Sequence, residues 1–208
     1  MDELIRRIRE LKKGRVGRRA EARLREFGRF RKGGDKELFG EMCFCLLTAN
    51  YAAEPAMRIQ KEVGEGFLGM PGNRLAKRLR ALGYRFPNAR AGYIVEARKH
   101  CPGLGKIIRS KNDELELREW VVKNVKGLGY KEASHFLRNI GYRNLAIVDF
   151  HIIDILAKNR LIKRPKTLTR RRYLEIESVL QGLGKRLRMD MAELDLYLWY
   201  LETGKILK

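Results

Sequence analysis

Cysteine is scarce in this chain: Cys43, Cys45 and Cys101 are the only three among 208 residues. An odd count argues against a disulfide framework, and one ligand too few excludes a four-thiolate iron–sulfur or zinc centre within one subunit. Cys43 and Cys45 lie in the run Met42-Cys43-Phe44-Cys45-Leu46-Leu47, where buried free thiols are the expectation. No stretch of 18 apolar residues occurs, so no membrane span is expected, and the charged amino terminus lacks the apolar segment of a secretory signal. A cytoplasmic location is the default expectation. Strand signals are sparse as well, which points to an all-helical fold.

Acidic residues are also in short supply. Lys and Arg total 46 against 25 Asp and Glu, a formal net charge of +21. The cations recur in Arg6-Arg7, Lys12-Lys13, Arg18-Arg19, Arg29 to Lys32, Lys77 to Arg80, Lys163-Arg164 and Arg170 to Arg172. A charged surface suited to heat explains abundance but not one sign, so a polyanion is the expected partner, bound with strong salt dependence. With 44% hydrophobic residues the chain can still build a substantial core.

Helical spacing covers most of the chain. Leu4, Ile5, Ile8 and Leu11 mark a first helix, and residues 16–27 a second. Others are expected over 36–50, 55–63, 73–82 and 89–100. Later helices follow Asp149 and Thr169 as caps, and a final apolar pattern runs from about Lys185 to Leu201. The string Gly-Leu-Gly occurs three times, at 103–105, 127–129 and 182–184, with different flanks and no tandem repeat.

The middle string carries the chemistry. Glu114 to Lys123 reads as an amphipathic helix capped by Asp113, and Ala133, Phe136, Leu137 and Ile140 restart a helical stripe after Gly127-Leu128-Gly129. Both glycines permit left-handed dihedrals and close approach, so the expected product is a hairpin of two helices whose outward amides can hold a phosphate. Taken alone, the hairpin fits an ordinary packing unit equally well. Lys131 lies just beyond it, and Asp149 lies eighteen residues later in Val148-Asp149-Phe150-His151.

Gly127-Leu128-Gly129-Tyr130-Lys131, Val148-Asp149-Phe150-His151 and Leu82-Gly83-Tyr84-Arg85 together resemble the helix-hairpin-helix DNA glycosylase superfamily, above all its compact archaeal-type 8-oxoguanine DNA glycosylase/AP lyases. The absence of cysteine after Cys101 separates the chain from relatives that carry an iron–sulfur loop. The resemblance implies an all-α fold of two lobes about a DNA cleft. A central lobe would span 38–147, and the other would combine the helices of 1–37 with 148–208. It also implies damaged double-stranded DNA as the partner, no cofactor required for the chemistry, action as a monomer, and a cytoplasmic or nucleoid-associated location in a prokaryote.

Residue roles follow from the same resemblance. Lys131, once neutral, attacks C1′ of a flipped nucleotide, and the resulting imine permits strand cleavage by beta-elimination. An ordinary lysine is almost wholly protonated near pH 7, so burial or positive neighbours such as Lys126 would have to favour the free amine. Asp149 would stabilise positive charge on the sugar, and as an N-cap alone it would be structural. Gly127, Leu128, Gly129 and His151 are expected on the phosphates, and Asn50 in the gap left by the extruded base. Phe86, Trp199 and Lys208, with its free carboxylate, are expected around that base. A water-activating glycosylase without the lysine step, a noncatalytic DNA-binding module and, with less support, an RNA-binding protein remain the alternatives.

Overall fold

In the computed structural model, which describes residues 1–111 and 113–208, the secondary structure is helical and no strand is present among the described residues. The order is α1 (Asp2–Lys13), α2 (Arg15–Phe30), α3 (Asp35–Thr48), α4 (Ala53–Val63), the single turn α5 (Gly66–Gly69), α6 (Gly72–Ala81), α7 (Pro87–Ala97) and α8 (Leu104–Ser110). There follow α9 (Glu114–Asn124), α10 (Tyr130–Asn139), α11 (Phe150–Lys158), α12 (Arg170–Leu187) and α13 (Met191–Thr203). The 3₁₀ turn Arg98–His100 extends α7, which accounts for helical spacing persisting to His100.

Local chemistry sets several boundaries. The Asp113 carboxylate accepts the Leu115 N–H at 2.9 Å, Asp149 accepts that of Ile152 at 2.9 Å, and the Thr169 hydroxyl accepts that of Arg172 at 3.3 Å. Each cap satisfies an amide that the first turn of a helix leaves unpaired. The last two helices depart from expectation. Gly182-Leu183-Gly184 does not break α12, which runs on to Leu187 before Arg188 turns left-handed (φ 54°), and Asp190 then caps α13. Gly184 is needed inside that helix because a Cβ there would lie 2.4 Å from Met191 Cε and 2.8 Å from the Met189 carbonyl.

Two hydrophobic clusters hold the chain. One gathers buried residues from Leu38 to Leu145 around α3, and the other joins Leu4, Ile5, Ile8, Ala20 and Phe27 to residues between Ala146 and Ile206. In α3 every residue from Glu41 to Thr48 is buried, so that helix shows no polar face and serves as the axis on which α4, α7, α8 and α10 pack. Full burial of each Leu, Ile, Met or Phe there is worth about 1.5–3 kcal/mol. Cys43 and Cys45 sit in the same helix as free thiols, and burial pushes both thiols up, which keeps them protonated and inert. Helix α13 packs against α1, α2, α11 and α12 and so unites the two ends of the sequence.

Buried ion pairs cross from one cluster to the other. Arg118 of α9 forks onto Glu177 of α12 at 2.7 and 2.9 Å with both side chains buried, and Arg138 of α10 pairs with Asp195 of α13. A buried ion pair gains its Coulomb energy only when the geometry is good, so these pairs fix register more than they add stability.

Candidate active site

The hairpin between α9 and α10 positions Lys131. Gly127 has φ 93°, and a Cβ there would stand 2.5 Å from Tyr93 Cδ2, so both backbone and neighbour require glycine. Gly129 differs from the expectation of two left-handed glycines: its φ is −84° and its ψ −169°, extended backbone open to any residue. Leu128 also departs from its expected phosphate role. Its side chain is buried in the central cluster, and its amide donates to the Val125 carbonyl at 3.1 Å inside the turn. The outward amides are therefore those flanking Leu128 and those of the first turn of α10, which has no side-chain cap. Lys131 is the second residue of α10, about a quarter exposed, with its ammonium 3.8 Å from Glu132 Oε1.

Asp149 reaches the same place from the other cluster. The segment before it has no regular structure and is held through side chains. The Ala146 amide donates to Glu177 at 2.9 Å, the Tyr173 hydroxyl donates to the Ala146 carbonyl at 2.7 Å, and the Val148 amide donates to that hydroxyl at 3.3 Å. Glu177 also holds Arg118 of the hairpin, and Ser134 of α10 lies 3.2 Å from the Tyr173 hydroxyl. One buried polar group thus ties both hairpin helices to the strand of backbone that presents Asp149. Networks of this kind specify geometry because each unmet partner is costly.

Lys131 and Asp149 both line a cleft of about 890 Å³. His151, Asn50, Trp199 and Lys208 line it as well. The His151 ring stands edge-on to Trp199, with centroids 4.7 Å apart, and the Phe150 ring, 62% exposed, lies tilted against His151 with centroids 4.0 Å apart. Asn50 is in the turn after α3, not at a helix end, and adopts φ 58°. The Lys208 ammonium points back into the central cluster, 2.6 Å from both Glu41 Oε1 and Gln60 Oε1 and above the Phe44 ring.

Phe86 is the N-cap of α7, packs half-buried against the central cluster and lies beneath the guanidinium groups of Arg85 and Arg90, and Arg85 lines the cleft. Lys126 is turned to a different neighbourhood, 4.0 Å from Glu96 and over the Tyr93 ring. The cation on α10 that does share the cleft with Lys131 is Arg138.

His135, Arg138 and Asp195 are cleft residues that the apolar stripe did not point to. The first two lie four and seven residues after Lys131, the spacing of one helical face, so counting from the lysine rather than from the apolar residues finds them. Burial drives the His135 imidazole well below its ordinary range, helped by Arg138 and Lys131, and keeps it neutral. Burial pushes the Asp195 carboxyl up to about 6; Arg138 opposes this, and the negative charge of Asp149 adds to it. Among the described residues no group of three His, Cys, Asp or Glu is placed to hold a metal ion.

Comparison with known proteins agrees with this geometry. A family model described as 8-oxoguanine DNA glycosylase matches residues 20–189. The chain belongs to this family. The 8-oxoguanine DNA glycosylase/AP lyase of Korarchaeum cryptofilum is 53% identical over 209 residues, covering 100% of this chain and 99% of the relative. That of Methanocaldococcus jannaschii is 49% identical over 206 residues, covering 99% of each. The crystal structure of the M. jannaschii glycosylase/lyase in complex with a 15mer DNA containing 8-oxoguanine matches with a TM-score of 0.96 at 48% identity, over 99% of this chain and 100% of that one.

Proposed function

We propose that this chain excises 8-oxoguanine from duplex DNA and then cuts the strand, with Lys131 as nucleophile and Asp149 as its electrostatic partner. The observation that carries the assignment is the meeting of these two residues in one cleft, each at the start of a helix and each held by a different hydrophobic cluster. Lys131 Nζ in its neutral form attacks C1′, and the glycosidic bond breaks with its electron pair leaving on the base, which takes up a proton. Loss of the sugar ring oxygen bond gives an imine to Lys131; removal of a C2′ proton then expels the 3′ phosphate oxygen.

Asp149 suits charge stabilisation. One carboxylate oxygen accepts the Ile152 amide at 2.9 Å, which fixes the group at the cleft wall, and the developing positive sugar gains from a preorganised anion in a partly enclosed site. The outward amides at Gly127 and Gly129 are the groups assigned to a phosphate of the extruded nucleotide, and Asn50, which lines the same cleft, is assigned to the gap left in the duplex. Trp199 supports one face of the base pocket.

The test is borohydride trapping on an 8-oxoguanine:cytosine duplex. The wild-type chain is expected to give a covalent adduct, and Lys131→Gln to give none while base release falls at least about 10³-fold. Base release by wild type without any trapped adduct would replace the lysine step with attack by water. Release of a different lesion in preference to 8-oxoguanine would overturn the substrate and leave the chemistry standing.

A further inference from the structure

Between Lys163 and Arg172 the chain carries six cationic side chains and no carboxylate. The segment leads from α11 into α12, is exposed over most of its length, and surrounds a hollow of about 640 Å³. Acids from elsewhere meet part of this charge. Asp154 pairs with Arg164, Glu119 with Arg170, and Glu175 serves both Arg171 and Arg172. Three carboxylates thus face six cations, and among the described residues none pairs with Lys163 or Lys166. Like charges crowded this way repel one another in the folded chain unless an anion joins them.

Position identifies the anion. Thr169 lines both this hollow and the active-site cleft, and Arg170 beside it donates to the hydroxyl of Tyr130, the residue that follows Gly129. A phosphodiester strand leaving the hairpin amides therefore meets Arg170 and then the hollow. The cations are spread over ten residues instead of converging on one point, which favours a repeating polyanion over a small phosphate. Leu168, the large apolar residue exposed here, lines the cleft instead of offering a surface to lipid. The reaction at Lys131 makes no use of Lys163, Lys166, Arg171 or Arg172.

We propose that residues 163–172 form a second DNA anchor, gripping the backbone of duplex that flanks the lesion on the hairpin side. The inference rests on the DNA glycosylase reading. Its test compares wild type with a variant carrying Lys163→Gln, Lys166→Gln, Arg171→Gln and Arg172→Gln, with thermal unfolding as the check on folding. Affinity for a lesion duplex is measured over a salt series on a long duplex and on one truncated beside the lesion on each side in turn. The variant is expected to bind the long duplex about 10- to 100-fold more weakly near 0.1 M salt and to lower the slope of log affinity against log salt by about 2–4. Truncation on one side should abolish the difference between the proteins, and arginine at 163 and 166 should restore wild-type slope at those positions.

An unchanged slope on the long duplex overturns the anchor, as does an equal loss on all three duplexes. Tighter competition by single-stranded RNA or anionic vesicles than by duplex DNA, lost in the variant, would also overturn it in favour of those partners. Borohydride trapping of the wild-type chain is read separately. An adduct together with an unchanged slope removes the anchor alone, and absence of an adduct removes the catalytic reading.

Discussion

The tripeptide Gly-Leu-Gly builds two similar turns that meet different anions. At 103–105 the first glycine has φ 82°, the leucine is fully buried, and the amides of Gly103 and Gly105 donate to the Asp35 carboxylate at 2.7 and 2.8 Å. At 127–129 the first glycine has φ 93° and the leucine is again buried, yet α10 begins without a side-chain cap. The protein closes the first cradle with its own carboxylate and leaves the second open beside the cleft that Lys131 and Asp149 line. Where the string does form a turn it aims amides outward, and what those amides hold is decided by the residues placed opposite. At 182–184 the same three residues lie inside α12 and make no turn at all.

Substitutions that separate the cradles sharpen this contrast. Gly127→Ala places a Cβ against Tyr93 at a dihedral that L residues disfavour, so stability should fall by about 1–3 kcal/mol in denaturant titration, with DNA affinity falling too. Gly129→Ala is the counterpart: its extended backbone accepts alanine and the nearest atom to the new Cβ is Glu132 Oε2 at 3.5 Å. Stability should stay within about 0.5 kcal/mol, while affinity for lesion DNA drops roughly tenfold as the methyl meets the phosphate. An equal affinity in that variant would mean that the open cradle holds nothing.

Asp35→Asn gives the smallest effect and acts on the closed cradle only. The amides of Gly105 and Gly103 hold the Asp35 carboxyl below its usual range, so the folded chain binds this proton less readily than the unfolded one. Its contribution is present above the unfolded value of about 3.9 and is lost as pH falls through the lowered folded value. Thermal midpoints of wild type and variant should therefore differ at neutral pH and converge in acid, with DNA affinity unchanged at pH 7. A gap that widened in acid would contradict the pairing.

Much of this was legible in the residues because it is local. Asp113, Asp149 and Thr169 cap the helices that follow them, and the Ala133-Phe136-Leu137-Ile140 stripe faces the core. The second lobe's last boundary was not legible, since Gly182 and Gly184 suggest a break and only packing against Met191 explains them within a helix. The struts of the site were hidden for another reason. Glu177 lies 59 residues from Arg118 and Asp195 lies 57 from Arg138, distances at which no periodicity links the partners. Phe86 is half-buried against the central cluster, and its neighbour Arg85 lines the cleft, a division of roles between adjacent residues that spacing alone does not reveal.

The second hydrophobic cluster unites residues 4–27 with residues 146–206, so although Phe30 of α2 packs on the central cluster, most apolar side chains of α1 and α2 find their partners only in the last part of the chain. During synthesis the central cluster can close first, and Lys131 is then in place on α10 while α1 and α2 still wait. Asp149 acquires its supports only when Tyr173 and Glu177 of α12 have arrived. A nascent or prematurely ended chain therefore carries the hairpin and Lys131 without a finished cleft around them.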